Sequence, residues 1–292
     1  MERVRGDRTT DDLDRAVTGR RFDAVVDFAA FTAADAAQVV RTLDGRVGHY
    51  VLVSSGQVYL VRDPRPSPAR ESDYEGPLVA EPPPGDRDRA DWEYGMGKRG
   101  AEDVLAAAFA RSGFPSTRLR IPMVNGERDY HRRLDGYLWR ILDGGPLLVP
   151  DGGTHRLRHV YSRDVARAIC ELLGRAPAFG QAYNLCQEET PTLVEVLETL
   201  ASLLGAPVRL RTIPRARLEE AGLDPREVSP FSGRWMSFLD PARARAELDF
   251  RPTPLATSLT AIVASVLAHP LESPPPGYAT RGREIALANA GR

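Results

Sequence analysis

Lysine is nearly absent from this sequence. Lys98 is the only one, so the other 38 of the 39 basic residues are arginine. Arginine stays charged and presents a broad planar fork, whereas lysine is a compact cation whose pKa a protein can tune. One lysine must fall somewhere, but its persistence in so arginine-rich a chain favours a site that needs a compact, titratable ammonium.

Cysteine, long apolar runs and excess charge are scarce as well. The two cysteines, Cys170 and Cys186, stand in apolar surroundings without metal-ligand spacing, which predicts reduced core thiols and no metal site. No run approaches the roughly 18 apolar residues of a membrane span, and the charged start is not that of a signal peptide. We therefore expect a cytoplasmic protein without a membrane partner. A net charge of −1 makes nucleic acid an unfavourable partner.

Apolar runs and helical patterns alternate along the first part of the chain. The runs at 23–30 and 49–53 predict strands buried on both faces, with a helix over 33–43 between them. Residues 3–5 predict the end of an earlier strand, and 116–121 predict a later one. This alternation predicts an α/β fold with a parallel sheet and right-handed crossovers. The later chain predicts further helices and strands at 134–142, 147–149, 158–161, 164–173, 181–185, 193–204, 208–213, 241–248 and 255–267.

Two stretches lack any such pattern. Residues 57–91 are rich in proline and charge, and a loop of that length in a compact domain predicts a functional or mobile flap. The next helix carries Tyr94 and Lys98 and is predicted to run to about Arg111. The tail over 271–292 begins with a proline-rich segment and is predicted to be loosely ordered.

A serine, a tyrosine and the lysine come together in this scheme. Ser55 follows a buried strand, at the sheet edge where α/β folds place their ligands. Tyr94 and Lys98 are four residues apart, so a helix puts them on one face. Such a set can move a proton, because tyrosine exchanges it with a substrate hydroxyl, lysine stabilises the phenolate and serine holds the substrate oxygen. Taken alone, Ser55 would be an ordinary serine at a strand end.

Proton transfer sets a requirement on the phenol. A free tyrosine titrates near pH 10, so acting as a base near pH 7 requires its pKa to fall by about three units, or roughly 4 kcal/mol. A neighbouring ammonium in a partly dry pocket and the positive ring of an oxidised nicotinamide could together supply this change.

Motifs around this set resemble those of a known family. They are Gly6-Asp7, Asp27-Phe28-Ala29-Ala30, Ser54-Ser55-Gly56-Gln57-Val58-Tyr59, Tyr94-Gly95-Met96-Gly97-Lys98, Leu119-Arg120-Ile121-Pro122, His159 to Ala166, Tyr183-Asn184-Leu185 and Leu248 to Pro254. In this order and spacing, over about residues 3–268, they resemble the extended short-chain dehydrogenases of the NAD-dependent epimerase/dehydratase group.

The resemblance implies a fold and a set of residue roles. The fold is an incomplete, Rossmann-like doubly wound parallel sheet over 1–122, with an interleaved smaller substrate lobe over 123–270 from which about 157–185 returns to the sheet. The implied catalytic residues are Ser55, Tyr94 and Lys98. The implied cofactor contacts are Asp7 at the adenine, Phe28, Ala29 and Ala30 along the cofactor, and Arg120 and Pro122 near the nicotinamide. The implied substrate contacts are Gln57, Met123, Arg156 and Arg158, although the two arginines could equally be solvated surface residues.

The chain departs from the family pattern at its start. The family begins with a strand, a Gly-x-x-Gly-x-x-Gly turn, a helix and a second strand, and those glycines let backbone N–H groups meet the cofactor pyrophosphate. A Gly-x-Gly-x-x-Gly string at Gly95, Gly97 and Gly100 lies inside the Tyr94 helix rather than between a strand and a helix, so we interpret it as a coincidence. We therefore expect NAD or NADP to bind weakly or not at all.

Three functions remain open. The first is epimerisation or keto-reduction of a sugar or nucleotide-sugar hydroxyl. Dehydration is disfavoured, because Gly56-Gln57 stands where the sugar 4,6-dehydratases carry an acidic pair. The second is a cofactor-deficient or regulatory protein of the same fold. The third is RNA binding, since residues 146–164 are similar to chloroplast stem-loop-binding proteins, although the near-neutral charge disfavours it. The resemblance also makes a homodimer an expectation.

Overall fold

The computed structural model describes residues 2–269 and 273–290 of the 292-residue chain. Its strands, in chain order, are β1 (Val25–Asp27), β2 (Tyr50–Ser55), β3 (Ser116–Ile121), β4 (Val124–Asn125), β5 (Pro146–Pro150), β6 (Val160–Tyr161), β7 (Ala182–Asn184) and β8 (Arg209–Ile213). Its α-helices are α1 (Asp12–Val17), α2 (Ala33–Leu43), α3 (Gln57–Leu60), α4 (Arg89–Ser112), α5 (Arg133–Leu142), α6 (Ser162–Leu172), α7 (Leu193–Leu204), α8 (Arg215–Glu220), α9 (Pro225–Val228), α10 (Ala242–Leu248), α11 (Leu255–Ala268) and α12 (Arg281–Ala290). No helix within these described ranges is long and apolar enough to cross a membrane.

The chain divides into two compact units. The first unit comprises Met1–Pro122, Val165–Cys186 and Ser237–Arg251, and the second comprises Met123–Asp164, Gln187–Met236 and Pro252–Arg292. The predicted return of the chain spans about 157–185, whereas the segment in the first unit is Val165–Cys186 and residues 157–164 belong to the second unit. The return of Ser237–Arg251 to the first unit is not predicted. The parallel sheet expected of an α/β fold is confirmed.

The first unit is built on a four-stranded parallel sheet in the order β1, β2, β3, β7. The first residues of β2, from Tyr50 to Leu52, are fully buried, as expected for an inner strand that is covered on both faces. Helices α2 and α4 pack on this strand through one apolar cluster that includes Val39, Leu52 and Leu105. Parallel strands end at the same edge of their sheet, and Ser55 lies at that edge.

The first strand differs from the prediction. β1 spans three half-buried residues rather than the predicted 23–30, and residues 3–5 form no strand, so β1 is the edge of the described sheet. The reason lies in Asp27. Its carboxylate accepts the backbone N–H groups of Ala29 at 2.7 Å and Ala30 at 2.9 Å, which turns the chain out of the strand.

Helix α4 lies very close to its neighbours. A Cβ atom on Gly97 would stand 2.6 Å from the backbone oxygen of Phe31, and one on Gly95 would stand 2.7 Å from a methyl carbon of Val61. A Cβ on Gly100 would likewise meet a neighbouring side chain at 3.1 Å. Close packing therefore explains the three glycines. This agrees with the interpretation that their resemblance to a dinucleotide-binding motif is a coincidence.

The substitution Gly97→Ala is expected to lower the free energy of unfolding by about 1–3 kcal/mol. Overpacking against a backbone atom outweighs the helix-propensity gain of at most about 1 kcal/mol. The matched control is Gly282→Ala in α12, where nothing lies within 4 Å of the added Cβ and only the propensity gain remains. Urea unfolding measures both variants, and equal stabilities would contradict the packing role of Gly97.

The segment after β2 is packed around residues 57–61 and 69–74, which makes the prediction of a flap over 57–91 wrong there. A buried cluster joins this segment to two later ones and consists of Val58, Tyr59, Ala69, Tyr74, Cys186 and Leu239. Its apolar residues are separated by prolines and charges and have no period, so the sequence pattern does not reveal their burial. Residues 63–68 and 75–88 are mostly exposed.

The two cysteines have different surroundings. Cys186 is buried, as predicted, and its thiol donates to the carbonyl oxygen of Leu239 at 3.5 Å. Cys170 is exposed, so the prediction of a core thiol is wrong at this position. It lies on the outer face of α6, whereas its apolar sequence neighbours Ile169 and Leu172 lie on the buried face.

The second unit contains two short parallel pairs of strands, β4 with β6 and β5 with β8. Helices α5, α7 and α11 contribute Tyr137, Leu197 and Ile262 to its main apolar core. Helix α7 begins at a capping box, in which the Thr192 hydroxyl accepts the N–H of Glu195 and the Glu195 carboxylate accepts the N–H of Thr192. This local signal explains why the predicted bounds of α7 are confirmed.

The carboxyl-terminal segment is held firmly. Arg140 of α5 donates to both carboxylate oxygens of Glu284 in α12, at 2.9 and 2.6 Å, and both side chains are fully buried. Arg281 adds hydrogen bonds to Asp143 and Glu284. The prediction of a loosely ordered tail is therefore wrong for residues 273–290. The remaining tail residues, 271, 272, 291 and 292, lie outside the described ranges.

Candidate active site

Ser55 closes β2 at the carboxyl edge of the first unit's sheet, where it is half-buried. Its hydroxyl oxygen accepts the backbone N–H of Gln57 at 3.1 Å, which leaves the hydroxyl proton free to be donated. The next residue, Gly56, has no room for a side chain, because a Cβ there would collide with the hydroxyl of Ser237. The turn after β2 therefore holds Ser55 in a tightly packed backbone.

Tyr94 lies in the second turn of α4 and keeps 39% of its surface exposed. The centre of its ring is 6.2 Å from that of Phe31. Partial burial raises the pKa of Tyr94, while the Ser55 hydroxyl, which can donate to the phenolic oxygen, acts in the opposite direction. The chain's own groups therefore do not lower the pKa of Tyr94, as a tyrosine that acts as a base near neutral pH would require.

Lys98 is one turn further along α4 and is only 1% exposed. Its ammonium donates to the carbonyl oxygens of Ala30 at 2.8 Å and Val53 at 3.1 Å. The same nitrogen lies 4.6 Å from the centre of the Phe31 ring and 5.9 Å from that of Tyr94. Burial lowers the pKa of Lys98 to about 8, although nearby carboxylates oppose the change. Lys98 is thus a buried ammonium with a pKa of about 8 that lies close to the rings of Phe31 and Tyr94.

A buried ion pair lies behind the site. Glu102, one turn beyond Lys98, accepts from the Ser54 hydroxyl at 2.5 Å and from Arg120, whose Nη2 is 2.6 Å away. Burial alone would raise the pKa of Glu102, but the Arg120 guanidinium outweighs it and holds that pKa below its usual range. Arg120 also donates to the Tyr59 hydroxyl at 2.6 Å and is only 3% exposed. Its side chain is engaged inside the unit, and the predicted contact with a cofactor stays a prediction.

The other predicted cofactor residues lie in different environments. Phe28 and Ala29 are exposed just after β1, whereas Ala30 is fully buried and presents its carbonyl oxygen to Lys98. Pro122 is buried at the end of β3. Asp7 is exposed, and one of its carboxylate oxygens accepts the backbone N–H and the hydroxyl of Thr9, at 2.8 and 2.7 Å.

The predicted substrate residues belong to both units. Gln57 lies beside Ser55 in the first unit, and its side-chain amide donates to Asp91 at 3.3 Å. Met123, Arg156 and Arg158 belong to the second unit. Met123 packs against that unit's main core, and its carbonyl oxygen accepts from Val160 at 3.0 Å. Exposed Arg156 donates to the carbonyl oxygen of Thr190 at 2.7 Å, and Arg158 donates to that of Glu188 at 3.3 Å.

The structure adds residues that the sequence analysis misses. Arg8 holds the Asp27 carboxylate through both terminal nitrogens, at 3.0 and 3.2 Å. Asp35 lies 3.6 Å from Nε of Arg8 and accepts the backbone N–H groups of Phe31 and Thr32. One signal could have revealed this cluster, because an aspartate that ends an otherwise apolar strand needs partners for its charge.

The residues present fit the nicotinamide end of a dinucleotide and not the whole of it. Phe28, Phe31 and Tyr94 expose 63%, 47% and 39% of their surfaces around the carboxyl ends of β1 and β2, where a planar ring could pack. In the described part of the chain, no strand leads through a glycine-rich turn into a helix, the arrangement that usually binds a pyrophosphate. The carboxylate of Asp7 already binds Thr9.

Comparison with known proteins gives related folds and one curated relative. A 2'-dehydrokanamycin reductase of Streptomyces kanamyceticus is 28% identical over 242 residues, which make up 81% of this chain and 64% of the relative. The chain therefore spans less than two thirds of that relative's length. The structure of UDP-glucuronic acid 4-epimerase from Bacillus cereus in complex with NAD has a TM-score of 0.68 at 17% identity, covering 91% of this chain and 80% of that one.

A second solved structure and a family model complete the comparison. RMD from Pseudomonas aeruginosa in complex with NADPH has a TM-score of 0.66 at 18% identity, covering 90% of this chain and 88% of that one. These likenesses confirm the Rossmann-like fold class. The model of the NAD dependent epimerase/dehydratase family matches residues 38–186, just over half of the chain, and includes Ser55, Tyr94 and Lys98. The chain belongs to the NAD-dependent epimerase/dehydratase family.

Proposed function

We propose that the chain is an oxidoreductase that reduces a keto group of a sugar-type small molecule with NADH or NADPH. The observation that carries the proposal is the buried ammonium of Lys98 beside the partly exposed ring of Tyr94, with the hydroxyl of Ser55 at the same sheet edge. A phenol beside an ammonium can exchange a proton with a ligand.

Each of the three residues has a defined part in the reaction. Ser55 donates its hydroxyl proton to the substrate carbonyl oxygen and so holds it. A reduced nicotinamide, when bound, supplies hydride to the carbonyl carbon. Tyr94 gives its phenolic proton to the same oxygen, which becomes the alcohol. Lys98 stabilises the phenolate that remains until a proton from solvent restores it.

Reduction uses the protonated form of Tyr94, and the raised pKa of Tyr94 keeps the phenol in that form near neutral pH. A phenol that keeps its proton near neutral pH is ready to act as an acid toward a developing alkoxide. Oxidation of an alcohol uses the same groups in reverse, with the Tyr94 phenolate as the base. Reduction is also the activity named for the curated relative.

Dehydration is disfavoured by the residues beside Ser55. Gln57 carries an amide, which neither gives up nor takes a proton near neutral pH, and this amide is hydrogen-bonded to Asp91. Removing water from a sugar requires an acid and a base in addition to the tyrosine. The proposed site therefore performs keto-reduction. Epimerisation would require it first to oxidise the sugar alcohol to the ketone, with the oxidised nicotinamide taking the hydride, and then to return that hydride to the other face.

An assay with a keto-sugar panel tests the proposal. The panel contains 2'-dehydrokanamycin, taken from the name of the relative, and a nucleotide 4-keto sugar, each with NADH or NADPH. We expect reduced nicotinamide to disappear in step with formation of the alcohol for at least one substrate, and Tyr94→Phe to abolish it. Cofactor binding without turnover on any keto sugar would contradict the proposal.

The cofactor is expected to bind the 292-residue chain weakly. Hydrogen bonds to a charged group contribute about 1.5–3 kcal/mol each, so a site without a pyrophosphate cradle loses at least about tenfold in affinity for each missing bond. Calorimetric titration with NAD and NADP measures this, with adenosine diphosphate as the control for the adenine end. Micromolar affinity would show that the remaining contacts suffice. Complete absence of binding would favour the second candidate, a regulatory protein of this fold.

A further inference from the structure

We infer that Asp27 and Arg8 are positioning residues for Lys98. Asp27 fixes the backbone that holds the ammonium, and Arg8 controls how much of the Asp27 charge the ammonium experiences. The catalytic consequence of this inference rests on the proposed function. The effect of Asp27 and Arg8 on the pKa of Lys98 can be measured in the protein without a ligand.

One residue connects Asp27 to Lys98. Ala30 gives its N–H to the Asp27 carboxylate at 2.9 Å, and its carbonyl oxygen accepts from the Lys98 ammonium at 2.8 Å. The same oxygen of Asp27 accepts the N–H of Ala29 at 2.7 Å, and its other oxygen accepts from the Tyr50 hydroxyl at 2.7 Å. Asp27 therefore holds the turn whose carbonyl group is one of the two acceptors of Lys98.

Arg8 joins this turn to a second carboxylate. Its terminal nitrogens bind Asp27, and its Nε lies 3.6 Å from Asp35, outside hydrogen-bond distance. Asp35 accepts the N–H groups of Phe31 and Thr32, so two carboxylates together take four consecutive backbone donors. The guanidinium compensates the two negative charges, which would otherwise repel each other across the turn.

Charges from every surrounding element act on Lys98. Asp27 on β1, Glu102 on α4 and Asp35 on α2 favour the ammonium, whereas Arg8 on the amino-terminal segment disfavours it, and burial lowers the Lys98 pKa most. The uncharged phenol of Tyr94 completes the set. The charge of Glu102 is compensated by Arg120 inside the unit. The charges next to the turn that holds Lys98 are therefore those of Asp27 and its partner Arg8.

The single lysine makes the inference measurable without activity. Lysine labelled with ¹³C and ¹⁵N gives one side-chain signal in the 292-residue chain, and its chemical shift against pH reports the pKa of Lys98 alone. We expect a pKa of about 8 for the wild type. Arg8→Met should raise it by about one unit, and Asp27→Asn should lower it by about one unit, because they remove charges of opposite sign.

The control removes an arginine of the same type from the surface. Arg15→Met deletes a side chain that is 72% exposed and paired with Asp12, and it should leave the Lys98 pKa unchanged. Arg8 is partly exposed, so its replacement tests the inference even if Asp27→Asn does not fold. An unchanged Lys98 pKa in Arg8→Met, or shifts of the same sign in both variants, would overturn it. Failure of the keto-sugar assay would instead overturn the proposed function and leave this result standing.

Discussion

Replacing Tyr94 with phenylalanine is expected to lower the turnover number about a thousandfold. The change removes the one oxygen that can give a proton to the substrate, and general acid catalysis contributes about 10²–10⁴ to a rate. The fold should remain intact, because the phenylalanine ring can keep the contact with Phe31 and because Tyr94 is partly exposed rather than part of the core. Steady-state kinetics with the best keto sugar of the panel measures the loss, and circular dichroism checks the fold.

Two further variants make this result specific. Tyr130→Phe removes the hydroxyl of a tyrosine that is 91% exposed in the second unit, and it should leave turnover unchanged. Lys98→Arg should abolish turnover as well, because a broad guanidinium cannot make the two short carbonyl contacts of a compact ammonium at a position that is 1% exposed. Turnover within tenfold of wild type in Tyr94→Phe would contradict the catalytic assignment.

The second large effect concerns stability. Glu284→Gln is expected to lower the free energy of unfolding by about 3–5 kcal/mol, because it leaves the fully buried guanidinium of Arg140 without a countercharge. Glutamine has nearly the shape of glutamate, so the loss reports charge rather than a cavity. Urea unfolding followed by tryptophan fluorescence measures it, and Trp139, whose ring centre is 5.2 Å from that of Tyr278, serves as a reporter in the same unit.

A surface pair supplies the control. Glu220→Gln breaks the pair of Arg217 and Glu220, whose side chains are 62% and 61% exposed, and should change the stability by less than about 1 kcal/mol. Replacing both buried partners, as in Arg140→Met with Glu284→Leu, should cost less than the sum of the single changes, since no isolated charge remains. Equal losses of stability in Glu284→Gln and Glu220→Gln would contradict the conclusion that the buried ion pair of Arg140 and Glu284 stabilises the packing of α12.

The sequence predicts elements well where their signals are local. The bounds of α2 and β3 are confirmed to the residue, and α2 begins at the capping box of Thr32 and Asp35. It predicts poorly where partners are distant in the chain. Glu284 and Arg140 are 144 residues apart, so no local pattern reveals that α12 is fixed. The fold class follows from the alternation of strands and helices, whereas the packing of 57–74 depends on side chains from later segments.

The same distinction holds at the site. The placement of Tyr94 and Lys98 on one helix face and of Ser55 at a strand end follows from local patterns. The two carbonyl groups that hold Lys98 come from residues 68 and 45 positions earlier, and no residue type marks a backbone oxygen. The sequence does not predict the pairing of Arg8 with Asp27 either, because any of the chain's many arginines could be the partner of Asp27 until the fold is known.

Because Lys98 is the single lysine of the chain, proteolysis can measure how often helix α4 unfolds. An endoproteinase that cuts only after lysine has a single target in the chain, the bond that follows Lys98. That bond lies within the 24 residues of α4, beside a side chain that is 1% exposed, so the protease can act only when the helix unwinds. When reclosing is faster than cutting, the rate at which two fragments appear reports the population of the opened first unit. A ligand that binds at Lys98 would slow the cut in proportion to its occupancy, which lets candidate cofactors be ranked without any knowledge of the reaction.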